Sequence, residues 1–201
     1  MNNIINKYDG LLVATFVDLT AAYDHIPRDF LFRVLYFRTG AKLLVSLLCK
    51  MYQGTTAAIT GSKYIFDVLV GCRQGGLESS SIFNLYFDFV LKICANEIDR
   101  VFPNGWGVPV DFRIPGECTN LTQRREGRMN GLEFIKQILY ADDLVLFSLS
   151  VEEANKILNI INTTCKRFGL TISFKKSKTM VFGNDQLCDK KIYNIYRRGS
   201  N

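Results

Sequence analysis

Hydrophobic and polar positions alternate along the chain in runs that switch period several times. Residues 11–17 (LLVATFV) are almost wholly apolar and β-branched, the pattern of a buried strand, and the run ends on Asp18. Pro27 suits a first helical turn and opens a helical composition over 28–52, which Gly40 divides into two helices. Residues 55–60 and 64–70 alternate around Gly61-Ser62, a hairpin turn. A glycine-bearing loop follows over 71–76. From Ser79 or Ser80 onward, Ile82, Leu85, Tyr86, Phe89, Val90 and Ile93 fall at i, i+3, i+4, i+7 spacing, one apolar face of a helix.

Residues 101–131 are rich in Pro, Gly, Asn and Arg and read as a long insertion containing a hairpin and a loop. Strand character returns at 133–140 and 144–149, with Ala141-Asp142-Asp143 between. Ser150 and Glu153 form a capping box for a helix over 151–168, with Ile157, Ile160, Ile161 and Phe168 on its apolar face and Gly169 as its stop. Residues 170–174 and 178–182 read as two short strands around a lysine cluster. The whole predicts one α+β domain, an antiparallel sheet backed by helices, with no linker between 10 and 183.

Composition narrows the classes without naming one. The 201 residues are 48% hydrophobic and 22% charged, which excludes a disordered chain. No apolar run approaches the ~18–20 residues that span a bilayer, and the first ten residues lack the pattern of a secretory signal. The expectation is an intracellular chain, nuclear or cytoplasmic, with no membrane partner. Six cysteines are scattered with no CxxC pair, and His25 is the single histidine, so neither a zinc site nor a hydrolase triad has support. The cysteines read as buried or idle thiols and His25 as a surface residue. Residues 1–150 carry 15 basic and 15 acidic side chains, whereas 151–201 carry 10 and 4, so the entire excess of +6 lies in the last quarter. Such a field attracts phosphate backbones, although on charge alone a solvated basic tail is the favoured reading.

Candidate chemistry rests on three carboxylates at strand ends. Asp18 closes one apolar strand, and Asp142 and Asp143 sit between two others. If the sheet sets these ends side by side, the like charges need hard cations. Mg²⁺ takes oxygen ligands and keeps positions open for phosphates, and two such ions ~3.5–4 Å apart can serve phosphoryl transfer. Adjacent strand residues point to opposite faces, so Asp142 and Asp143 converge only if the chain turns there. An isolated Asp-Asp pair reads first as a polar hairpin turn.

Four segments place this pair in a wider pattern. FVDLTAAYD (16–24), GCRQGGLESSSIFNLYFD (71–88), LYADDLVLF (139–147) and GLTISFKKSKTMVFG (169–183) resemble, in order and spacing, motifs A, B, C and D of a reverse transcriptase palm, and most closely that of non-LTR, LINE-type retrotransposons. The resemblance covers about residues 10–183. It implies a polymerase palm that performs RNA-directed DNA synthesis with two Mg²⁺ ions, an RNA template, a DNA primer and dNTPs.

The resemblance also implies roles. Asp18 and Asp142 match the metal-binding carboxylates, and Asp143 the neighbouring carboxylate that supports the charge balance. Tyr23 falls where the family places a bulky side chain under the sugar of the incoming nucleotide, leaving no room for a 2′-hydroxyl; without the motif it reads as a core aromatic. An RNA-synthesising palm, which must admit that hydroxyl, is disfavoured on the same ground. Gln74 and Gly75 match the motif B loop, where a glycine lets the backbone pass close to template and nucleotide. Lys175, Lys176 and Lys178 lie in motif D, where a lysine can protonate the pyrophosphate leaving group; Lys176, before Ser177, fits that pattern best, and a solvated strand end is the alternative for each.

Two departures matter. Many relatives carry Ser-Pro where this chain has Ser79-Ser80, preceded by Glu78. The sequence also reads as palm alone, with polar tails at 1–9 and 184–201 and without the fingers and thumb that flank the family's palm. This yields a second expectation, a non-catalytic retroelement fragment that binds nucleic acid weakly, alongside that of a polymerase weak or inactive on its own.

Overall fold

A computed structural model describes residues 11–61, 63–73, 75–113, 129–182 and 192–194. The chain begins with β1 (Leu12–Val17), a short helix α1 (Ala22–His25), and the helices α2 (Arg28–Thr39) and α3 (Lys42–Tyr52). The hairpin of β2 (Thr56–Ala58) and β3 (Ile65–Asp67) leads to the 23-residue helix α4 (Ser79–Val101). Next come β4 (Val108–Arg113), β5 (Met129–Ile135), β6 (Gln137–Tyr140), β7 (Asp143–Ser148), helix α5 (Val151–Arg167), β8 (Lys178–Phe182) and β9 (Ile192–Asn194).

One antiparallel sheet of five strands, in the order β6-β7-β1-β8-β9, forms the centre. In β1 and β7 the register pairs Val13 with Ser148, Thr15 with Leu146 and Val17 with Leu144. All six are buried, and Val17, Leu144 and Leu146 join the core formed with α4 and α5. The alternate positions, Phe16 and Val145 among them, therefore share the opposite face, and Phe16 is 45% exposed. The sheet is thus backed by helices on one side and more open on the other, the α+β architecture expected from the sequence.

Several predicted boundaries hold for the predicted reasons. Gly40 ends α2 in the left-handed conformation, φ 65°, with its N–H donating to Tyr36 O. Ser150 Oγ accepts from Glu153 N at 3.0 Å, as a capping box requires. The Glu153 carboxylate, however, reaches back to Leu149 N and across to Gly107 N, so it also ties the β4–β5 hairpin to the helix start. The α4 face is wider than its periodicity implies: Phe83, Phe87, Leu91 and Cys94 are buried as well as Ile82, Tyr86 and Val90. His25 is exposed, and Cys49, Cys72, Cys94 and Cys165 are free thiols, the last three buried. Among the described residues no helix is long and apolar enough to cross a membrane.

Two expected strands are corrected. Residues 133–140 divide at Lys136: β5 pairs with β4 in a separate hairpin, and β6 joins the central sheet. Residues 170–174 form no strand; Ile172 makes a single bridge to Leu19, and the chain then turns, with Ser173 O accepting from the N–H groups of Lys176 and Ser177. The tip of the 101–131 insertion, residues 114–128, lies outside the described residues, as do Gln74, Cys118, Cys188, the tail at 1–9 and the tail at 184–201 apart from 192–194, which form β9 and pair with β8 in the central sheet where a polar tail was expected.

Candidate active site

The β1–β7 register determines what faces what at the end of the sheet. Val17 opposes Leu144, so Asp18 and Asp143 occupy the next antiparallel step. By strand alternation both belong to the open face with Phe16 and Val145. Asp18, Asp143 and Lys176 line one cavity of about 370 Å³ there, with Phe16, Val17, Leu144 and Val145 as its apolar walls. Asp18 Oδ1 is buried and, among the described residues, has no hydrogen-bond partner. Among the described residues the nearest cation is the Lys176 ammonium at 3.8 Å, too far for a hydrogen bond.

The Asp18 backbone is gripped from the other side. Asp18 N donates to Ser177 Oγ at 3.0 Å, and Asp18 O accepts from Ser173 N at 2.8 Å. Thr20 N donates to Thr171 O. Residues 171–177 thus clamp the end of β1, and they carry Lys176 on the same turn.

Asp142 lies in the two-residue turn between β6 and β7, since Tyr140 pairs with Asp143. Ala141 before it is held at φ 54°, a left-handed conformation that costs an alanine about 1–2 kcal/mol. The sharp turn separates the two adjacent carboxylates. Asp143 goes to the cavity with Asp18, whereas the charge of Asp142 is felt at Tyr23. Burial first, then the Asp142 charge and then Cys72, raise the Tyr23 hydroxyl above its usual range.

Tyr23 follows the left-handed Ala21 on α1 and lies flat on Phe83 of α4, with ring centroids 4.4 Å apart and planes at 17°. It borders a second cavity of about 310 Å³ with Arg73, Gly75, Gly76, Ser79 and Ser80. Gly75, at φ 81°, has nothing within 4 Å of the place a Cβ would occupy, which leaves an open approach to its backbone. The structure therefore brings together Asp18, Asp143 and Lys176 around one cavity, and Tyr23 and Gly75 around the next.

The loop before α4 is held by two residues, Arg28 and Tyr52, that the sequence reading did not single out. Arg28 donates to Gly71 O, Tyr52 O and Thr55 Oγ1, and its guanidinium lies 5.1 Å from the Tyr52 ring centroid. Tyr52 Oη accepts from Arg73 N, and buried Ser79 Oγ donates to Arg73 O at 2.6 Å. Gly71, at φ 83°, packs so closely on motif A that an added Cβ would lie 2.7 Å from Tyr23 O. Burial pushes the neighbouring Cys72 thiol up to about 11, despite the opposing charge of Arg28. The glycines of the loop and the Ser at the helix start were the signals available in the sequence; the Arg28 and Tyr52 contacts are long-range and had none.

Among the described residues no group of three or more His, Cys, Asp or Glu side chains stands close enough to hold a metal ion. The donor chemistry nonetheless suits a hard cation at Asp18: an unpartnered buried carboxylate oxygen, with a second carboxylate across the strand pair and no thiol or imidazole among the lining residues.

An antiparallel sheet backed by helices, with carboxylates at the meeting of its two central strands, is the fold of a polymerase palm. The family described as reverse transcriptase (RNA-dependent DNA polymerase) matches residues 2–193, and the chain belongs to that family. No curated protein matches the chain. Among solved structures it is similar to telomerase from Candida albicans, in complex with a TWJ fragment of telomeric RNA, with a TM-score of 0.58 and 11% identity. That match covers 92% of this chain and 28% of the telomerase chain, so the likeness is one of fold and this chain spans under a third of that relative.

Proposed function

We propose that this chain is the palm of a reverse transcriptase of the non-LTR, LINE type, extending a DNA primer with dNTPs on an RNA template. The observation that carries the reading is the placement of Asp18 and Asp143 on one cavity, one step beyond the Val17–Leu144 pair of β1 and β7, with an Asp18 oxygen that has no partner among the described residues. In this reading the palm is residues 10–183 and it works inside the cell, where RNA and dNTPs occur.

Asp18, Asp142 and Asp143 would hold the divalent ions, two Mg²⁺ in the family's pattern. Ions bound there would favour loss of the primer hydroxyl proton and neutralise charge on the triphosphate. The chain's own groups do the rest. Tyr23, braced on Phe83, presents a flat wall that a deoxyribose clears and a 2′-hydroxyl does not. The open Gly75 backbone admits template and nucleotide, and Gln74 belongs to the same loop. Lys176, beside the carboxylates, supplies a proton to the departing pyrophosphate.

A second reading, a non-catalytic chain that binds nucleic acid weakly through its basic C-terminal part, draws support from the excess of positive charge over 151–201. Primer extension separates the two. Purified protein is given a primed RNA template, Mg²⁺ and dNTPs, with Asp142→Asn as the blank. Extension that the variant abolishes supports the polymerase. No extension, with retained binding to the primed template, supports the second reading.

A further inference from the structure

The turn at 173–177 does more than bring a lysine near the carboxylates. It holds Asp18 by both main-chain groups, through Ser177 Oγ and Ser173 N, while its own geometry is closed by two N–H bonds to Ser173 O. Lys176 leaves this turn on the Asp18 side and sets its ammonium 3.8 Å from Oδ1, the carboxylate oxygen that no donor satisfies. Lys178 instead sits on β8 opposite Phe16. Of the three lysines in the segment, Lys176 is the one ion-paired with Asp18 among the described residues.

We propose that Lys176 is the resident counter-cation of Asp18 and that it competes with a divalent ion for Oδ1. The inference rests on the reading of Asp18 as a metal ligand. A buried carboxylate oxygen without a donor is costly, and a nearby ammonium lowers that cost. A hard divalent ion bonds carboxylate oxygen at ~2.0–2.1 Å, far inside the 3.8 Å at which the ammonium stands, and the two cations repel. Seating the ion therefore expels the ammonium from the carboxylate. The Lys176 side chain is 71% exposed, so it is free to swing away once released. The pairing thus makes the lysine available to substrate phosphates only after the ion is in place, an ordering built from one side chain.

The test is a Mn²⁺ titration of the full 201-residue chain, following the EPR signal of the free ion, with no catalysis required. Lys176→Met should bind Mn²⁺ about two- to five-fold more tightly, the size expected for losing one partly exposed competing ion pair. Lys176→Arg should match the parent chain. Lys175→Met removes the same charge from the same turn and should change affinity less. Asp18→Asn should weaken binding, and adding Lys176→Met to it should restore nothing. If Asp18→Asn binds Mn²⁺ as the parent does, both the metal reading and this inference fall. If Asp18→Asn weakens binding while Lys176→Met does not tighten it, or Lys175→Met tightens it equally, only this inference falls. Exposure of Lys176 makes misfolding of its variants a minor risk, and their melting temperatures are measured alongside.

Discussion

Tyr23 lies on Phe83 as one plate on another, centroids 4.4 Å apart and planes 17° from parallel. Phe83 is wholly buried and backed by Phe87 at 5.7 Å, so the Tyr23 ring rests on a rigid base. A wall can exclude a hydroxyl only if it does not yield. Tyr23→Ala or Tyr23→Val should therefore raise rNTP incorporation relative to dNTP by about ten-fold or more, the scale on which a filled pocket discriminates one small group. Tyr23→Phe keeps the ring and should leave the ratio near the parent's. Ratios of kcat/KM for matched dNTP and rNTP measure this, and an unchanged ratio in the Ala variant removes Tyr23 from the role.

Gly71 and Gly75 have nearly the same backbone angle but different surroundings. At Gly71 a Cβ would strike three backbone atoms of Tyr23 and Asp24 at 2.7–2.8 Å, whereas at Gly75 it meets nothing within 4 Å. Gly75→Ala should cost only the left-handed strain, about 1–2 kcal/mol. Gly71→Ala should cost clearly more, because neither the Tyr23 carbonyl nor the loop can move without the other. Urea denaturation of the two variants compares them directly; equal losses would mean that the loop yields freely.

The parts of this molecule legible in the sequence are those that local period controls. The apolar run ending at Asp18, the capping box at Ser150 and the stop at Gly40 each needed only neighbouring residues. The β5–β6 boundary was hidden because Lys136 breaks the strand through distant partners: its O accepts from Phe147 N, and its Nζ reaches Asp99. The absent strand at 170–174 was hidden for a related reason, since the Ser173 turn forms against Asp18. The candidate site divides likewise. Strand ends revealed Asp18, Asp142 and Asp143 as a set, yet only Asp18 and Asp143 line the shared cavity, and the turn that parts Asp142 from them has Ala141 at φ 54°, a conformation that alanine does not advertise. Arg28 and Tyr52 act through contacts many residues apart in the chain, and no local pattern marks them; Ser177 was visible only as the neighbour of Lys176, not as the partner of Asp18 N.

Trp106 is the chain's single tryptophan and reports on one place. Its indole N–H donates to Asp99 Oδ1 at 2.8 Å, and Lys136 donates to the same oxygen at 2.9 Å. The Lys136 hydrogen bond, opposed by slight burial and helped by Trp106, holds the Asp99 carboxyl below the usual carboxylate range. A lowered folded value means that this contribution to stability is complete above the unfolded aspartate value. It is lost as pH falls through the folded one. Acidification below the ordinary aspartate value of about 3.9 should therefore shift Trp106 emission to the red at pH values where far-UV circular dichroism is still native. In Asp99→Asn that local transition should disappear. Persistence of the same transition in the variant would assign it to another group.

Ser177 is the remaining hinge of the site, fully buried and accepting from the Asp18 main-chain N–H. Ser177→Ala leaves that part-buried N–H without its partner, at a cost of about 1 kcal/mol, the low end for a stranded donor. The cost does not stop at stability. The same turn carries Lys176, and Ser173 N holds Asp18 O from the other side, so removing one of the two grips lets β1 and the turn slip relative to each other. Ser177→Thr keeps the hydroxyl but adds a methyl where the side chain has no exposed surface, so it should recover the bond while losing some packing. The expected order of stability is Ser, then Thr, then Ala. Mn²⁺ affinity should fall in the Ala variant and recover in the Thr variant, because the Asp18 carboxylate is aimed by its own backbone. Urea midpoints and Mn²⁺ titrations on the three proteins check both orders. Loss of stability in Ser177→Ala with unchanged Mn²⁺ affinity would show that Ser177 supports the sheet without aiming Asp18.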